Sequence, residues 1–167
     1  MTIIIETSQG TITAELNADN APVTVENFLR YVDEGFFDQT IFHRVIPDFM
    51  IQGGGLTAEM KERPAHDPIA NEAGNGLKND RGTLAMARTS EPNSATSQFF
   101  INTADNGFLN HRDETPEGFG YAVFGRVVEG MDVVDRIQAV ATRSVGYHEN
   151  VPVTPVVIES IRRAGGE

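Results

Sequence analysis

The side chains of this chain that could do chemistry on a ligand are concentrated in one short segment, residues 42–54. If Pro47-Asp48-Phe49 is the corner of a tight antiparallel pair of strands, Arg44 on the first strand faces Gln52 on the second. By the same rule, the face that carries Arg44 and Gln52 also carries the apolar residues Ile46 and Met50. Phe49 lies at the rim of this face. A guanidinium, an amide and apolar side chains would then converge on one surface.

A later segment extends this surface if the two faces meet. Within residues 98–101, Gln98 and Phe100 share one face of the predicted strand, and Phe99 and Ile101 share the other. The first pair adds a second amide and an aromatic ring. The spacing is also explained by a simpler interpretation, in which Arg44 is a surface arginine on a strand, held by a glutamine.

Several kinds of chemistry are excluded or unsupported by residue type. The chain has no cysteine, which excludes disulfides, thiol nucleophiles and cysteine-ligated metal centres. Gly53-Gly54-Gly55 lacks the Gly-Lys-Ser/Thr of a phosphate-binding loop, and no nucleophile motif of the G-x-S-x-G type occurs. The histidines are far apart and form no ligand pair: His43, His66, His111 and His148. Carboxylate pairs are expected by chance in an acidic chain. We therefore expect no metal and no cofactor.

Composition sets the class of protein. The chain has 167 residues, 40% of them apolar and 22% charged, which predicts a single globular domain over residues 1–167. A net charge of −11 makes nucleic acid a poor partner because phosphate backbones are repelled. No apolar run approaches the ~20 residues of a membrane helix, and the first residues do not resemble a secretory signal. We expect a soluble, cytoplasmic protein that binds neither nucleic acid nor membrane.

Hydrophobic periodicity predicts the elements that position the segment. Residues 3–7 and 11–16 read as a hairpin closed at Gly10. The spacing of Val25, Phe28, Leu29 and Val32 predicts a helix over residues 22–34, and a second helix follows Gly130. The remaining strand candidates are residues 41–46, 49–52, 83–87, 98–101, 121–127 and 156–161. About eight short strands and two helices indicate a mainly β fold, a closed antiparallel barrel with the helices over its open ends.

Two long polar connections, residues 56–80 and 103–120, are unusual for a compact domain and suggest a functional role. The second contains Phe108-Leu109 among polar residues. This apolar pair either pins the loop to the protein or lines a site.

Taken together, the motifs resemble those of the cyclophilin-type peptidyl-prolyl isomerases. The resemblance is carried by Phe42-His43-Arg44, then Phe49-Met50, then Gln52-Gly53-Gly54, and continues through residues 82–87, 93–101, 108–109 and 123–125. Residues 71–79 are most similar to the small single-domain bacterial members. The resemblance covers nearly the whole chain, and it implies an eight-stranded barrel capped by two helices.

The resemblance also implies an activity and a site. The activity is rotation of X–Pro bonds in unfolded or flexible polypeptides, with Arg44 as the catalytic residue and no cofactor. The proline pocket would be lined by Phe49, Met50, Phe100 and Leu109. The residues that would hold the substrate backbone or orient Arg44 are Gln52, Ala87, Arg88 and Gln98. The rim of the pocket would be completed by Phe108 and Tyr121. His43 adjoins Arg44 but is expected on the opposite face, in a structural role.

Three positions depart from the pattern common in eukaryotic members. Phe108 stands where many have tryptophan, whose indole N–H the inhibitor cyclosporin uses, so we expect weak cyclosporin binding. Tyr121 stands where many have histidine. Arg88 replaces an asparagine whose main chain pairs with the peptide, and its added cation is expected to alter sequence preference.

Three functions are consistent with these residues. The first is a cytoplasmic isomerase that assists protein folding. The second is a proline-peptide-binding or chaperone module whose isomerase activity is incidental. The third is a small acidic barrel hydrolase, for which the sequence offers no nucleophile–base pair.

Overall fold

The opening hairpin forms as the alternation predicts. In the computed structural model, which describes residues 1–164, Ile5 pairs with Ile12, and the side chains of both are fully buried in the barrel. Gly10 at the turn has φ +133°, and a Cβ there would lie 2.9 Å from a methyl group of Val133. This position therefore requires glycine for its backbone conformation and for space.

Ten strands and two α-helices are present within residues 1–164. The strands are β1 Thr2–Thr7, β2 Gly10–Leu16, β3 Thr40–Ile46, β4 Met50–Thr57, β5 Thr83–Met86, β6 Phe99–Asn102, β7 Val123–Glu129, β8 Thr142–Val145, β9 His148–Pro152 and β10 Val157–Arg163. The helices are α1 Pro22–Asp33 and α2 Met131–Gln138, and a 3₁₀ turn spans Gly107–Leu109. Eight of the strands close an antiparallel barrel in the order β1-β10-β3-β4-β6-β5-β7-β2, which confirms the predicted fold class.

The predicted apolar stripe of α1 packs onto one end of the barrel. Phe28 lies at its centre, with ring centroids 5.0 Å from Phe37, 5.3 Å from Phe99 and 5.1 Å from Phe124. Removing such a ring from water contributes roughly 1.5–3 kcal/mol. This aromatic cluster anchors the strand that carries Phe99, and the next residue of that strand points to the opposite surface.

The N-terminus of α1 is capped by a residue from the long 56–80 connection. Ala21 at the helix start has no side chain that could accept a hydrogen bond. Instead, Glu72 Oε1 accepts hydrogen bonds from the N–H of Thr24 (2.7 Å) and its hydroxyl (2.6 Å), and Oε2 accepts one from the N–H of Val23 (3.3 Å). A carboxylate at this end also interacts favourably with the helix dipole. The connection is thereby held against the barrel.

The glycine triplet at residues 53–55 serves close packing. A Cβ on Gly53 would lie 2.5 Å from the carbonyl oxygen of Ile41, and one on Gly55 would lie 2.6 Å from the side chain of Gln98. Strand β4 continues through the triplet to Thr57, beyond its predicted end at residue 52. Glycine is needed at residue 53 because a backbone carbonyl lies too close for a side chain, and at residue 55 a side chain would displace Gln98.

A separate two-stranded hairpin, β8 and β9, was not predicted. Strand β8 is mostly polar and has no buried residue, β9 is buried only at Val151 and Pro152, and Tyr147 at the tip is fully exposed. Neither strand has the apolar alternation by which a half-buried strand is recognised in a sequence. The hairpin packs beside β3, next to the segment that carries Arg44.

None of the helices formed within residues 1–164 has the length and apolar character required to cross a membrane.

Candidate active site

The turn between β3 and β4 has the predicted geometry. Arg44 is paired with Gln52 and Ile46 with Met50, and Asp48 at the corner has φ +59°. The backbone N–H of Asp48 donates a hydrogen bond to Gln138 Oε1 on α2 at 2.9 Å. The second helix therefore fastens the turn that presents Arg44 and Phe49.

A β-bulge just before Arg44 changes the predicted orientation of His43. The register moves from Phe42 opposite Gly53 to Arg44 opposite Gln52, so β3 has one extra residue there. Phe42 and Val45 both point into the core, and the two residues between them both line the cavity described below. The expectation that His43 faces away from Arg44 is wrong, because a bulge interrupts the alternation of side chains.

Arg44 lies at the edge of a cavity of about 510 Å³ formed by β3, β4, β6, the 3₁₀ turn and the segment before β7. Ten of the eleven residues proposed from the sequence line it: Arg44, Phe49, Met50, Gln52, Ala87, Arg88, Phe100, Phe108, Leu109 and Tyr121. The eleventh, Gln98, lines an adjoining cavity of about 160 Å³ that shares Gln52, Ala87 and Arg88 with the first. Two further lining residues, His43 and His148, were missed.

A chain of side-chain hydrogen bonds forms the polar side of the cavity. Arg44 Nη1 donates to Gln52 Oε1 at 3.4 Å, and Gln52 Nε2 donates to Gln98 Oε1 at 3.0 Å. A guanidinium has five N–H donors, so this single contact orients the group while its other donors remain available to a ligand. The arrangement places a fixed positive charge and directed donors beside an apolar hollow.

The apolar side is formed by buried residues and a more exposed rim. Met50, Phe100 and Leu109 are buried at the base. At the rim, Phe49 stacks on Phe108 with the ring centroids 5.7 Å apart, and the Phe108 side chain is 68% exposed. Residues 108 and 109 thus take both of the predicted roles, because Leu109 pins the loop to the protein and both residues line the cavity.

Three buried asparagines hold the backbone around the cavity. Asn102 Nδ2 donates to Asn79 Oδ1 at 3.0 Å, and Asn106 Nδ2 donates to Asn102 Oδ1 at 2.8 Å. From this cluster, Asn106 Nδ2 also donates to the carbonyl of Phe49 at 2.8 Å, and Asn79 Nδ2 donates at 3.3 Å to the carbonyls of Leu109 and Tyr121. One polar cluster therefore sets the positions of three cavity residues.

Sequence reasoning did not find this asparagine cluster. Its members lie in a loop, at a strand end and before a 3₁₀ turn, where asparagine is common and follows no period. Their burial, between 0% and 4% exposed, is the feature that distinguishes them. Buried amides must satisfy their hydrogen bonds, and these do so on one another and on the cavity backbone.

His43 is buried and remains neutral at physiological pH. Burial lowers the pKa of its imidazole to about 4, with smaller contributions from the charges of His148 and Arg44. The His43 and His148 rings meet edge to face with centroids 6.0 Å apart. Arg44 therefore has an uncharged neighbour on β3, and it supplies the positive charge at this end of the cavity.

Within residues 1–164, no three His, Asp or Glu side chains are grouped closely enough to hold a metal ion. The cavity combines an apolar base with a guanidinium that can donate hydrogen bonds, an arrangement suited to holding an apolar group that has a polar atom beside it.

Comparison with known proteins gives a consistent result. Residues 2–163 match the family model for cyclophilin-type peptidyl-prolyl cis-trans isomerases. The chain is 61% identical over 164 residues to peptidyl-prolyl cis-trans isomerase cyp18 of Streptomyces antibioticus, covering 98% of this chain and 99% of that one. It is 57% identical over 159 residues to peptidyl-prolyl cis-trans isomerase B of Escherichia coli K12, covering 95% and 97%.

Solved structures show the same architecture. A cyclophilin-type peptidyl-prolyl isomerase from Cryptosporidium parvum, crystallised in the presence of the dipeptide Ala-Pro, superposes with a TM-score of 0.78 at 26% identity, covering 98% of both chains. A cyclophilin from Hirschia baltica has a TM-score of 0.79 at 23% identity, covering 99% of this chain and 74% of that one. The second likeness bears on the fold alone.

Proposed function

The chain belongs to the cyclophilin-type peptidyl-prolyl cis-trans isomerases, and from that premise we propose that Arg44 and the cavity beside it are the catalytic site. The activity is cis–trans rotation of the peptide bond before proline, which assists the folding of polypeptides. The observation that carries the assignment of the site is the position of the Arg44 guanidinium at the edge of a cavity based on Met50, Phe100 and Leu109.

The reaction has a rotational barrier and breaks no bond. Resonance holds the peptide bond planar with a barrier of ~18–20 kcal/mol. Uncatalysed exchange takes roughly 10–100 s, and completing it in about a millisecond requires a reduction of the barrier by about 7 kcal/mol. A site that stabilises the half-rotated bond more than either planar isomer supplies this reduction without a nucleophile.

Arg44 is suited to recognise the half-rotated bond. Twisting the amide localises a lone pair on the prolyl nitrogen, which accepts no hydrogen bond in the planar ground state. A guanidinium aimed at that nitrogen interacts with the rotated state selectively. Since arginine stays protonated at neutral pH, the effect is electrostatic and hydrogen-bonded, with no proton transfer.

The remaining residues position the substrate. The apolar base holds the proline ring while the preceding carbonyl swings, and exclusion of water there strengthens the interaction with Arg44. Gln52 and Gln98 orient the guanidinium through the hydrogen bonds described above. Ala87 and Arg88 line the cavity, and we propose that their main-chain groups, apart from the Ala87 N–H that donates to Gln98 O at 3.0 Å, pair with the peptide backbone.

The partners proposed are proline-containing peptides and unfolded proteins. The Cryptosporidium parvum relative was crystallised in the presence of Ala-Pro, which supports a proline-containing ligand for this cavity. Cyclosporin is proposed as a weak ligand, because Phe108 lacks an indole N–H.

Two further predictions concern the whole chain: a single domain over residues 1–167, and a cytoplasmic location. Cell fractionation tests the location.

Exchange NMR on a short X–Pro peptide tests the site. Arg44→Ala should lose most of the isomerase activity and keep the fold, since Arg44 is exposed and its loss leaves no cavity in the core. Arg44→Lys should also be poor because an ammonium lacks the planar fork. Arg126→Ala is the matched control, because Arg126 makes only a 3.8 Å exposed ion pair with Glu15. Exchange by Arg44→Ala at the wild-type rate contradicts the proposal, and full retention of the cellular role would instead favour a binding module.

A further inference from the structure

The guanidinium of Arg88 donates three hydrogen bonds to backbone carbonyls. Nε donates to the carbonyl of Gly120 at 2.9 Å, Nη1 to that of Thr89 at 2.8 Å and Nη2 to that of Pro116 at 3.2 Å. The same group lies over the ring of Tyr121, 4.6 Å from its centroid. Each of its three nitrogens thus has a backbone partner, and its face has an aromatic one.

These contacts converge on one wall of the cavity. The Tyr121 ring is held between the Arg88 guanidinium and the edge of Phe100, whose centroid lies 5.9 Å away. The backbone of Tyr121 is already anchored, because its N–H donates to the carbonyl of Leu109 at 3.0 Å and its carbonyl accepts from Asn79. What Arg88 adds is the orientation of the ring and of the loop that leads to it.

Arg88 is one of several residues that hold this loop, and Asn71 Nδ2 also donates to the Gly120 carbonyl, at 3.2 Å. Gly120 has φ +84°, and a Cβ there would lie 2.6 Å from the backbone nitrogen of His111, so the two ends of the 110–120 loop are in close contact. Arg88 connects Gly120 to Pro116 within the loop and to Thr89, the next residue in the segment that follows β5. A planar fork suits this arrangement because three separate nitrogens each donate to one carbonyl, whereas an ammonium carries all its donors on one atom.

We propose that Arg88 is a positioning residue for the isomerase reaction: its guanidinium fixes Tyr121 and the 110–120 loop as one wall of the proline cavity. This inference rests on the assignment of that cavity as the active site. The expectation that the Arg88 cation alters sequence preference stays a prediction, because carbonyl partners leave its positive charge in place beside the cavity.

Arg88→Met is the informative variant, because it keeps an apolar stem and removes the fork. Exchange NMR should show KM raised about five- to tenfold with kcat within about twofold, the scale of one or two lost hydrogen bonds. The ring resonances of Tyr121, one of three tyrosines in a chain without tryptophan, should shift and broaden. Arg88→Lys should recover only part of the loss. Arg112→Met is the matched control, because Arg112 is exposed in the same loop and makes one side-chain hydrogen bond, to the carbonyl of Glu117 at 3.3 Å.

A double-mutant cycle with Tyr121→Leu separates positioning from direct contact with the substrate. If Arg88 acts through the ring, Arg88→Met costs less than about twofold in the Tyr121→Leu background. Additive losses, unchanged Tyr121 resonances, or a loss confined to peptides with Asp or Glu beside proline would each overturn the proposal. The Tyr121 resonances do not depend on catalysis, so failure of the Arg44 assignment is recognised separately, by an active Arg44→Ala protein.

Discussion

Arg44 and Gln52 stand opposite each other on adjacent antiparallel strands, with Nη1 of the arginine 3.4 Å from Oε1 of the glutamine. The bulge that precedes Arg44 and the turn that precedes Gln52 bring a guanidinium and its orienting amide to the edge of one apolar cavity. The mechanism proposed above depends on this pair, because a donor lowers the rotational barrier only if it is held towards the prolyl nitrogen.

Replacing the amide tests this orientation. Gln52→Leu should lower kcat/KM about tenfold, since Arg44 loses its acceptor and Gln98 loses its donor. Exchange NMR measures the rate, and a thermal melt reports the fold. Gln9→Leu, in the β1–β2 turn outside the cavity, is the matched control. Wild-type kinetics in Gln52→Leu would show that Arg44 needs no orienting partner.

The rate of isomerisation should be nearly flat between about pH 6 and pH 9. No proton is transferred in the proposed step, and His43, beside Arg44, has its pKa lowered to about 4 by burial and stays neutral over this range. A pH series of exchange spectra on one peptide measures the profile. A steep change that disappears in His148→Asn would assign a titrating role to that side chain and contradict the mechanism.

The same histidine should make the protein less stable in mild acid. The unfolded chain binds a proton at His43 near pH 6.5, and the folded protein binds it only near pH 4. Since the unfolded state then holds more protons, the free energy of unfolding falls as the pH is lowered through this window. The loss amounts to about 2 kcal/mol between pH 7.5 and pH 5.

Urea unfolding of wild type and His43→Leu at these two pH values isolates the effect. Carboxylates with lowered pKa, such as Asp33 beside Arg163, contribute equally to both proteins. The variant should therefore lose less stability on acidification by about the amount stated above. Equal losses in the two proteins would show that the imidazole of His43 is not held neutral by the fold.

The affinity for cyclosporin should be limited by the absence of an indole N–H at position 108. The ring of Phe108 is largely exposed and stacks on Phe49, so a larger indole fits without entering the core. Phe108→Trp should tighten cyclosporin binding about tenfold, the scale of one hydrogen bond from an indole N–H, with little change in isomerase rate. Calorimetry measures this, and the new tryptophan is also the only one in the chain. An unchanged affinity would place the limit elsewhere in the cavity.

Patterns within single elements were enough to predict most of the architecture. Alternation identified the first hairpin, the 3.6-residue period identified α1 and α2, and the spacing around Asp48 predicted that Arg44 faces Gln52. These features depend on which residues must be buried along one strand or one helix, and the order of residue types records that directly.

Contacts between residues distant in sequence became visible only in the folded protein. The bulge that places His43 in the cavity depends on how β3 pairs with β4. The β8–β9 hairpin lacks the alternation of apolar residues by which a strand is recognised in a sequence. The asparagine cluster and the contacts of Arg88 join segments about 20 to 60 residues apart. Residue types and their spacing were enough to predict that an arginine, two amides and an apolar surface were available. Barrel closure decided which backbone carbonyls hold them in place, because hydrogen-bond partners are chosen by proximity in space and leave no period in the chain.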